Sequence, residues 1–343
     1  MDLVVPAVVG IGTLGALAVI VPTIGQALKM QPYLYANTRC SARSGFLLKD
    51  NNYAEMMQVT YPKELFALME GTLYKDIFER HDNFQDISRQ LEKNMFETFK
   101  WLEEIAPKKM TKLIHLINKR FEIKEIKKIL NYFKSDEEIS ELDFIDDSFL
   151  KLKLQEVRTF PDLVTALDGT IYTELFAEKS EDDIPQLITL IDKMWMEEVL
   201  MEISKNDQAA DAVKDYWLTL VDLFNVRLAF RKLKNEIDIN FIYEGHIPVK
   251  ELEGVGDMNQ LEGVIEKTKY KDYFNKESYL DMEVSFFAYL RQLASDVNAK
   301  YTLTSGPIVR FMIEKELEIR NLNLILKLKL NNFPKEKIEK LVV

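Results

Sequence analysis

The chain has 343 residues, with 45 lysines and arginines against 56 aspartates and glutamates, for a net charge of −11. That balance argues against sequence-independent binding to nucleic acid, because no excess of cations is available to neutralise phosphates. The single cysteine, Cys40, excludes an internal disulfide and a cysteine-held zinc, and the length points to two or three domains rather than one core.

The first element is "LVVPAVVGIGTLGALAVIVPTIGQAL". From Leu3 to Leu28 it contains no charged residue. At about 1.5 Å per residue, a helix of this length crosses a bilayer core of about 30 Å. Only Met1 and Asp2 precede it, so the basic start of a cleavable signal peptide is missing, while Lys29, Arg39, Arg43 and Lys49 follow. The expectation is an uncleaved membrane helix over residues 1–28 in contact with lipid. The N-terminus would lie outside and the bulk of the chain on the cytoplasmic side of the cell membrane. Gly10-Ile11-Gly12-Thr13-Leu14-Gly15 spells G-x-G-x-x-G, but Pro6 interrupts any preceding strand and the first acidic residue afterwards is Asp50. Close packing of a membrane helix explains those glycines better than a dinucleotide does.

Beyond Lys29, apolar residues recur at helical spacing with charges between, as in "IPQLITLIDKMWMEEVLMEISK", and the expected class is all-α. The best candidate for a strand is the short "DINFIY" (238–243). One phrase then appears three times: "YPKELFALMEGTLYKDIF" from Tyr61, "TFPDLVTALDGTIYTELF" from Thr159 and "DMNQLEGVIEKTKYKDYF" from Asp257, 98 residues apart both times. Within it Thr72, Thr170 and Thr268 align, as do Tyr74, Tyr172 and Tyr270, and Phe78, Phe176 and Phe274. A second phrase closes each unit: "FEIKEIKKIL" from Phe121, "FNVRLAFRKL" from Phe224 and "LEIRNLNLIL" from Leu317. Its fourth residue is always a cation: Lys124, Arg227 or Arg320. The interval from the first phrase's Phe to the second phrase is 43, 48 and 43 residues, so the middle unit carries a five-residue insertion. The acidic stretch 135–147 and the stretch 240–251 are the natural junctions. The units are 29–137, 138–236 and 237–343, each of a normal size for a helical bundle.

Catalytic signals are missing. There is no G-x-x-x-x-G-K-[ST]. The only histidines are His81, His115 and His246, and Glu79 and Glu244 precede two of them by the wrong interval for a di-iron bundle. Asp146–Asp147 and Asp182–Asp183 read as a linker and a helix start. No catalytic, cofactor or metal site is expected.

The residues "PYLYANTRCSARSGFLL", "ELFALMEGTLYKDIF" and "GPIVRFMIEKELEIRNLNLILKLKLNNFPKEKIEKLVV" resemble the C subunits of the archaeal-type (A-type and V-type) ATP synthases, relatives of the d subunit of the eukaryotic vacuolar proton pump. The resemblance runs from about Gln31 to the end. Three like units suggest pseudo-threefold symmetry or a row; the resemblance implies three similar helical bundles arranged as a funnel, without a catalytic site of its own. That funnel would be a socket between the central-shaft subunits and the membrane proteolipid ring. The alternative is a membrane-anchored helical scaffold that docks another complex. On the resemblance, Lys124, Arg227 and Arg320 are either surface charges or a cationic ring meeting acidic groups on the shaft. Arg39 and Arg43, just past the apolar stretch, suit lipid headgroups or ring loops. The repeated tyrosines are expected in the bundle cores.

Overall fold

A computed structural model describes residues 28, 30–59, 61–134, 149–205, 211–235 and 245–343. The strand candidate 238–243, the acidic junction 135–147 and nearly all of the apolar N-terminal stretch lie outside these residues. Among the described residues the regular structure is helical throughout, with no strand, and no helix is long and apolar enough to cross a membrane.

The first sequence unit holds α1 (30–44), α2 (Asp50–Gln58), α3 (Pro62–Leu68), α4 (Lys75–Arg80), α5 (Phe84–Ile105), α6 (Lys108–Asn118) and α7 (Arg120–Tyr132). The second holds α8 (Phe149–Gln155), α9 (Phe160–Leu167), α10 (Thr173–Phe176), α11 (Ile184–Lys205) and α12 (Asp211–Asn235). The third holds α13 (Val249–Glu253), α14 (Met258–Ile265), α15 (Tyr279–Lys300), α16 (Gly306–Leu330) and α17 (Lys335–Glu339). The repeat is visible in element lengths. Helices α5, α11 and α15 have 22 residues each, and α12 and α16 have 25. Helices α6 and α7 cover the same length as α12, with a one-residue interruption at Lys119.

Local chemistry starts these helices. Asn83 caps α5 by accepting from the Asp86 amide at 2.8 Å, and Ser278 caps α15 through the Asp281 amide at 3.1 Å. At α9, Thr159 accepts from the Asp162 amide at 3.3 Å while the Asp162 carboxylate accepts from the Thr159 amide at 2.8 Å, a reciprocal capping box.

Packing does not follow the sequence units. The closing phrase of one unit seals the opening phrase of the next. Ile126, Ile129 and Leu130 of α7 are buried with Leu163, Leu167 and Tyr172. Val226, Ala229 and Phe230 of α12 are buried with Leu261, Ile265 and Tyr270. The third closing phrase returns to the first unit, where Leu322, Ile325 and Leu326 of α16 are buried with Leu65, Met69 and Tyr74. Each buried Val, Leu, Ile, Met or Phe side chain among them contributes roughly 1.5–3 kcal/mol by leaving water. The pairing is therefore cyclic: unit 1 with 2, 2 with 3, 3 with 1.

Candidate functional site: a cationic pocket and the tyrosine contacts around it

The shared Thr-x-Tyr is one turn built three times. The threonine hydroxyl donates to the carbonyl three residues back, at 2.8 Å to Met69, 2.5 Å to Leu167 and 2.7 Å to Ile265. It then accepts from the amide of the tyrosine two residues on, at 3.1 Å in all three copies. This turn ends the preceding helix and drives the ring inward, so that Tyr74, Tyr172 and Tyr270 have no exposed surface. Phe78 and Phe176 are buried beside them, and Phe274 is half-buried against the third core.

Each tyrosine hydroxyl donates to a carboxylate on the helix of the neighbouring closing phrase. Tyr172 reaches Glu122 Oε1 at 2.7 Å, Tyr270 reaches Asp222 Oδ2 at 2.5 Å, and Tyr74 reaches Glu318 Oε2. Glu122 and Glu318 are the second residues of their phrases. The middle phrase has Asn225 there, and its carboxylate stands one turn earlier, on the same helix face. Unit 3 has Lys315 at that earlier position, and its ammonium donates to Tyr74 Oη at 2.5 Å and to Glu318 Oε2 at 3.0 Å. Burial pushes the Lys315 ammonium below its ordinary range; burial first, then Glu318, pushes the Tyr74 hydroxyl well up.

Helices α5, α7, α11, α15 and α16 enclose a pocket of about 480 Å³. Its walls carry Arg120, Lys124 and Arg320 against Glu92 and Glu316, and are otherwise mostly apolar, with Phe121, Trp195 and Phe287 among them. The Lys124 ammonium pairs with Glu92. Arg120 Nη1 donates to Glu316 Oε1 at 2.5 Å, which also accepts from Tyr216 Oη at 2.9 Å, and the guanidinium stacks 4.3 Å from the Phe99 ring. Arg320 stacks 4.0 Å from the Phe287 ring and donates to the Leu341 carbonyl and to Asn321 Oδ1. Burial lowers its guanidinium to about 10. Arg227 approaches Phe287 from α12 at 5.6 Å, with Glu283 3.6 Å from its Nε.

Of the cations singled out by sequence, Lys124 and Arg320 thus share one pocket, and Arg227 adjoins it through Phe287. Arg39 and Arg43 do not line it. They lie on α1 over Trp101, at 6.0 and 4.4 Å. Sequence reading missed Arg120, Phe287 and the three carboxylates, although the acidic second letter of "FEIK" and "LEIR" was a usable signal. Asp146, Asp147 and Glu244 lie outside the described residues, while two other side chains weighed from the sequence serve local structure. His115 meets Glu103 at 3.2 Å, and Asp183 accepts from the Ser180 amide at 2.9 Å ahead of α11. Among the described residues, no group of three or more His, Cys, Asp or Glu side chains is placed to hold a metal ion.

The family model for the ATP synthase (C/AC39) subunit matches residues 36–341. The chain belongs to the ATP synthase (C/AC39) subunit family. Similar proteins, each named as the C subunit of an A-type ATP synthase, include one from Methanosphaera stadtmanae, 27% identical over 98% of this chain and 94% of the relative. One from Methanobrevibacter smithii is 26% identical over the same shares, and one from Methanocaldococcus jannaschii is 23% identical over 95% and 90%. As a member of the C/AC39 family, the chain is a subunit of an ATP synthase. The aligned tyrosines of the triple phrase lie in the cores and no residue of the phrase lines the pocket, whose wall is built partly from the first and third closing phrases.

Proposed function

We propose that this C/AC39 protein is a non-catalytic part of the central rotor of an A-type ATP synthase, a socket that couples the rotating shaft to the membrane proteolipid ring. The observation that carries the reading is the cyclic sealing of the three repeats. A part that transmits torque must resist twisting between its own segments. Interlocked units share their cores, so one unit cannot swivel without opening at least two of them. On this reading units 29–137, 138–236 and 237–343 form a pseudo-threefold funnel around the cationic pocket. Residues 1–28 anchor it in the membrane, with the bulk of the chain on the cytoplasmic side. A membrane helix that turns with the ring has to run inside the ring, against lipid or the inner helices.

A detergent-solubilised pull-down tests the assignment. The rotor reading expects shaft and proteolipid subunits to be recovered together, whereas a scaffold for another complex would come down without them. Cross-linkers placed at Thr13 or Thr23 should reach proteolipid; preferential coupling to the stationary membrane subunit would reject the placement of the anchor.

A further inference from the structure

The cations around the pocket differ in how they are neutralised. Lys124 is 47% exposed and paired with Glu92. Arg227 faces Glu283, and Arg120 is balanced by Glu316. Arg320 is different: among the described residues no carboxylate lies within 4 Å of it, and its N–H groups meet only neutral oxygens. A half-buried guanidinium with no counter-charge in contact is costly, because burial removes hydration that the more distant Glu283 does not replace. The Leu341 carbonyl and the Phe287 ring nevertheless hold its plane in place, so the charge is oriented in advance. Two further groups on the wall are unsatisfied. Asn323, one turn along α16 from Arg320, has a buried Oδ1 without a partner, and Arg120 Nε and Nη2 are buried without acceptors. A half-turn of the Asn323 amide would present its N–H groups instead.

We propose that Arg320, with Arg120 and Asn323, forms a carboxylate-binding subsite whose occupant is an aspartate or glutamate side chain on the end of the rotor shaft. The proposal rests on the rotor reading. The pocket volume holds one or a few side chains, not a whole helix, and Met95, Phe121, Trp195, Ile313 and Leu317 suit apolar neighbours of that acid.

The test uses the full-length chain and purified shaft subunits, with affinity measured at low and moderate salt. Arg320→Gln should weaken binding about 30-fold or more, the effect of truncating one partner of a buried charge pair. Arg320 also holds the C-terminal segment, so Asn323→Asp is the second variant. It is isosteric, leaves the Leu341 contacts alone and adds a negative charge to the wall. It should weaken binding about 10-fold at low salt, the gap narrowing as salt screens it. Lys267→Gln, at an exposed lysine outside the pocket, should stay within about 3-fold. An acidic shaft residue whose replacement by lysine restores binding to Arg320→Glu would identify the occupant. If the wild-type chain binds the shaft and both Arg320→Gln and Asn323→Asp bind equally well, the subsite is wrong and the rotor reading stands. If the wild-type chain captures no shaft subunit, the rotor reading falls and takes this occupant with it.

Discussion

Tyr74, Tyr172 and Tyr270 hold one position in the repeat, but their hydroxyls meet different surroundings. Glu318 and Lys315 beside Tyr74 are 2% exposed each, and Asp222 beside Tyr270 is fully buried. Glu122 beside Tyr172 is half-buried, so water can replace the lost donor. Hydrogen bonds to charged groups are worth about 1.5–3 kcal/mol when no solvent takes over. Tyr74→Phe and Tyr270→Phe should therefore each cost about that much in urea denaturation, and Tyr172→Phe about 1 kcal/mol or less. Asp222 adds a pH signature. Burial raises its carboxyl above the ordinary 3.8, against the lowering effect of the Tyr270 and Ile247 hydrogen bonds. A carboxyl raised on folding binds its proton more tightly in the native state, so its contribution is fully present below 3.8 and lost as pH rises through the raised value. Relative to Asp222→Asn, the wild-type chain should gain stability as pH falls from about 7 to about 4 in parallel denaturation curves. A pH-independent difference would contradict the assigned direction.

At the scale of elements, helices were legible because apolar spacing reports which face is buried, whereas the caps Asn83, Thr159 and Ser278, which fix where three helices begin, went unread. The interruption at Lys119 was not legible, since its backbone stays close to helical and no proline or glycine marks it. Nor was the shift of the acceptor carboxylate from the Asn225 position to Asp222, which only the packed tyrosine explains. Two glycines separate close approach from mere permissiveness. At Gly306, where the turn from α15 enters α16, a Cβ would lie 2.7 Å from the Tyr301 and Val297 carbonyl oxygens. Both are backbone atoms and cannot swing aside, so Gly306→Ala should cost about 1–3 kcal/mol. At Gly263 in α14 nothing lies within 4 Å of the added carbon. Gly263→Ala should stabilise by about 0.4–1 kcal/mol, because alanine loses less backbone freedom on folding. Thermal melts of the two variants should move in opposite directions.

For the whole molecule, the 98-residue interval marked the repeated phrases, but which closing phrase packs on which opening phrase was not legible. A closing phrase buries the same residue types whether it covers its own opening phrase or a neighbour's, so periodicity cannot tell the two arrangements apart. The cyclic arrangement makes damage appear far away in sequence. Leu326 is 1% exposed and packs with α2, α3 and α5, more than two hundred residues earlier in the chain. Leu326→Ala should cost roughly 2–5 kcal/mol. In native-state hydrogen exchange its loosening should appear in the amides of α2–α5, while α13 and α14 of its own sequence unit stay protected. Ile126→Ala on α7 should likewise loosen α8–α11 and spare α2–α4, since Ile126 belongs to the second core. If the three units folded as separate bundles in chain order, each substitution would instead loosen its own unit: Leu326→Ala would expose α13 and α14, and Ile126→Ala would expose α2–α5.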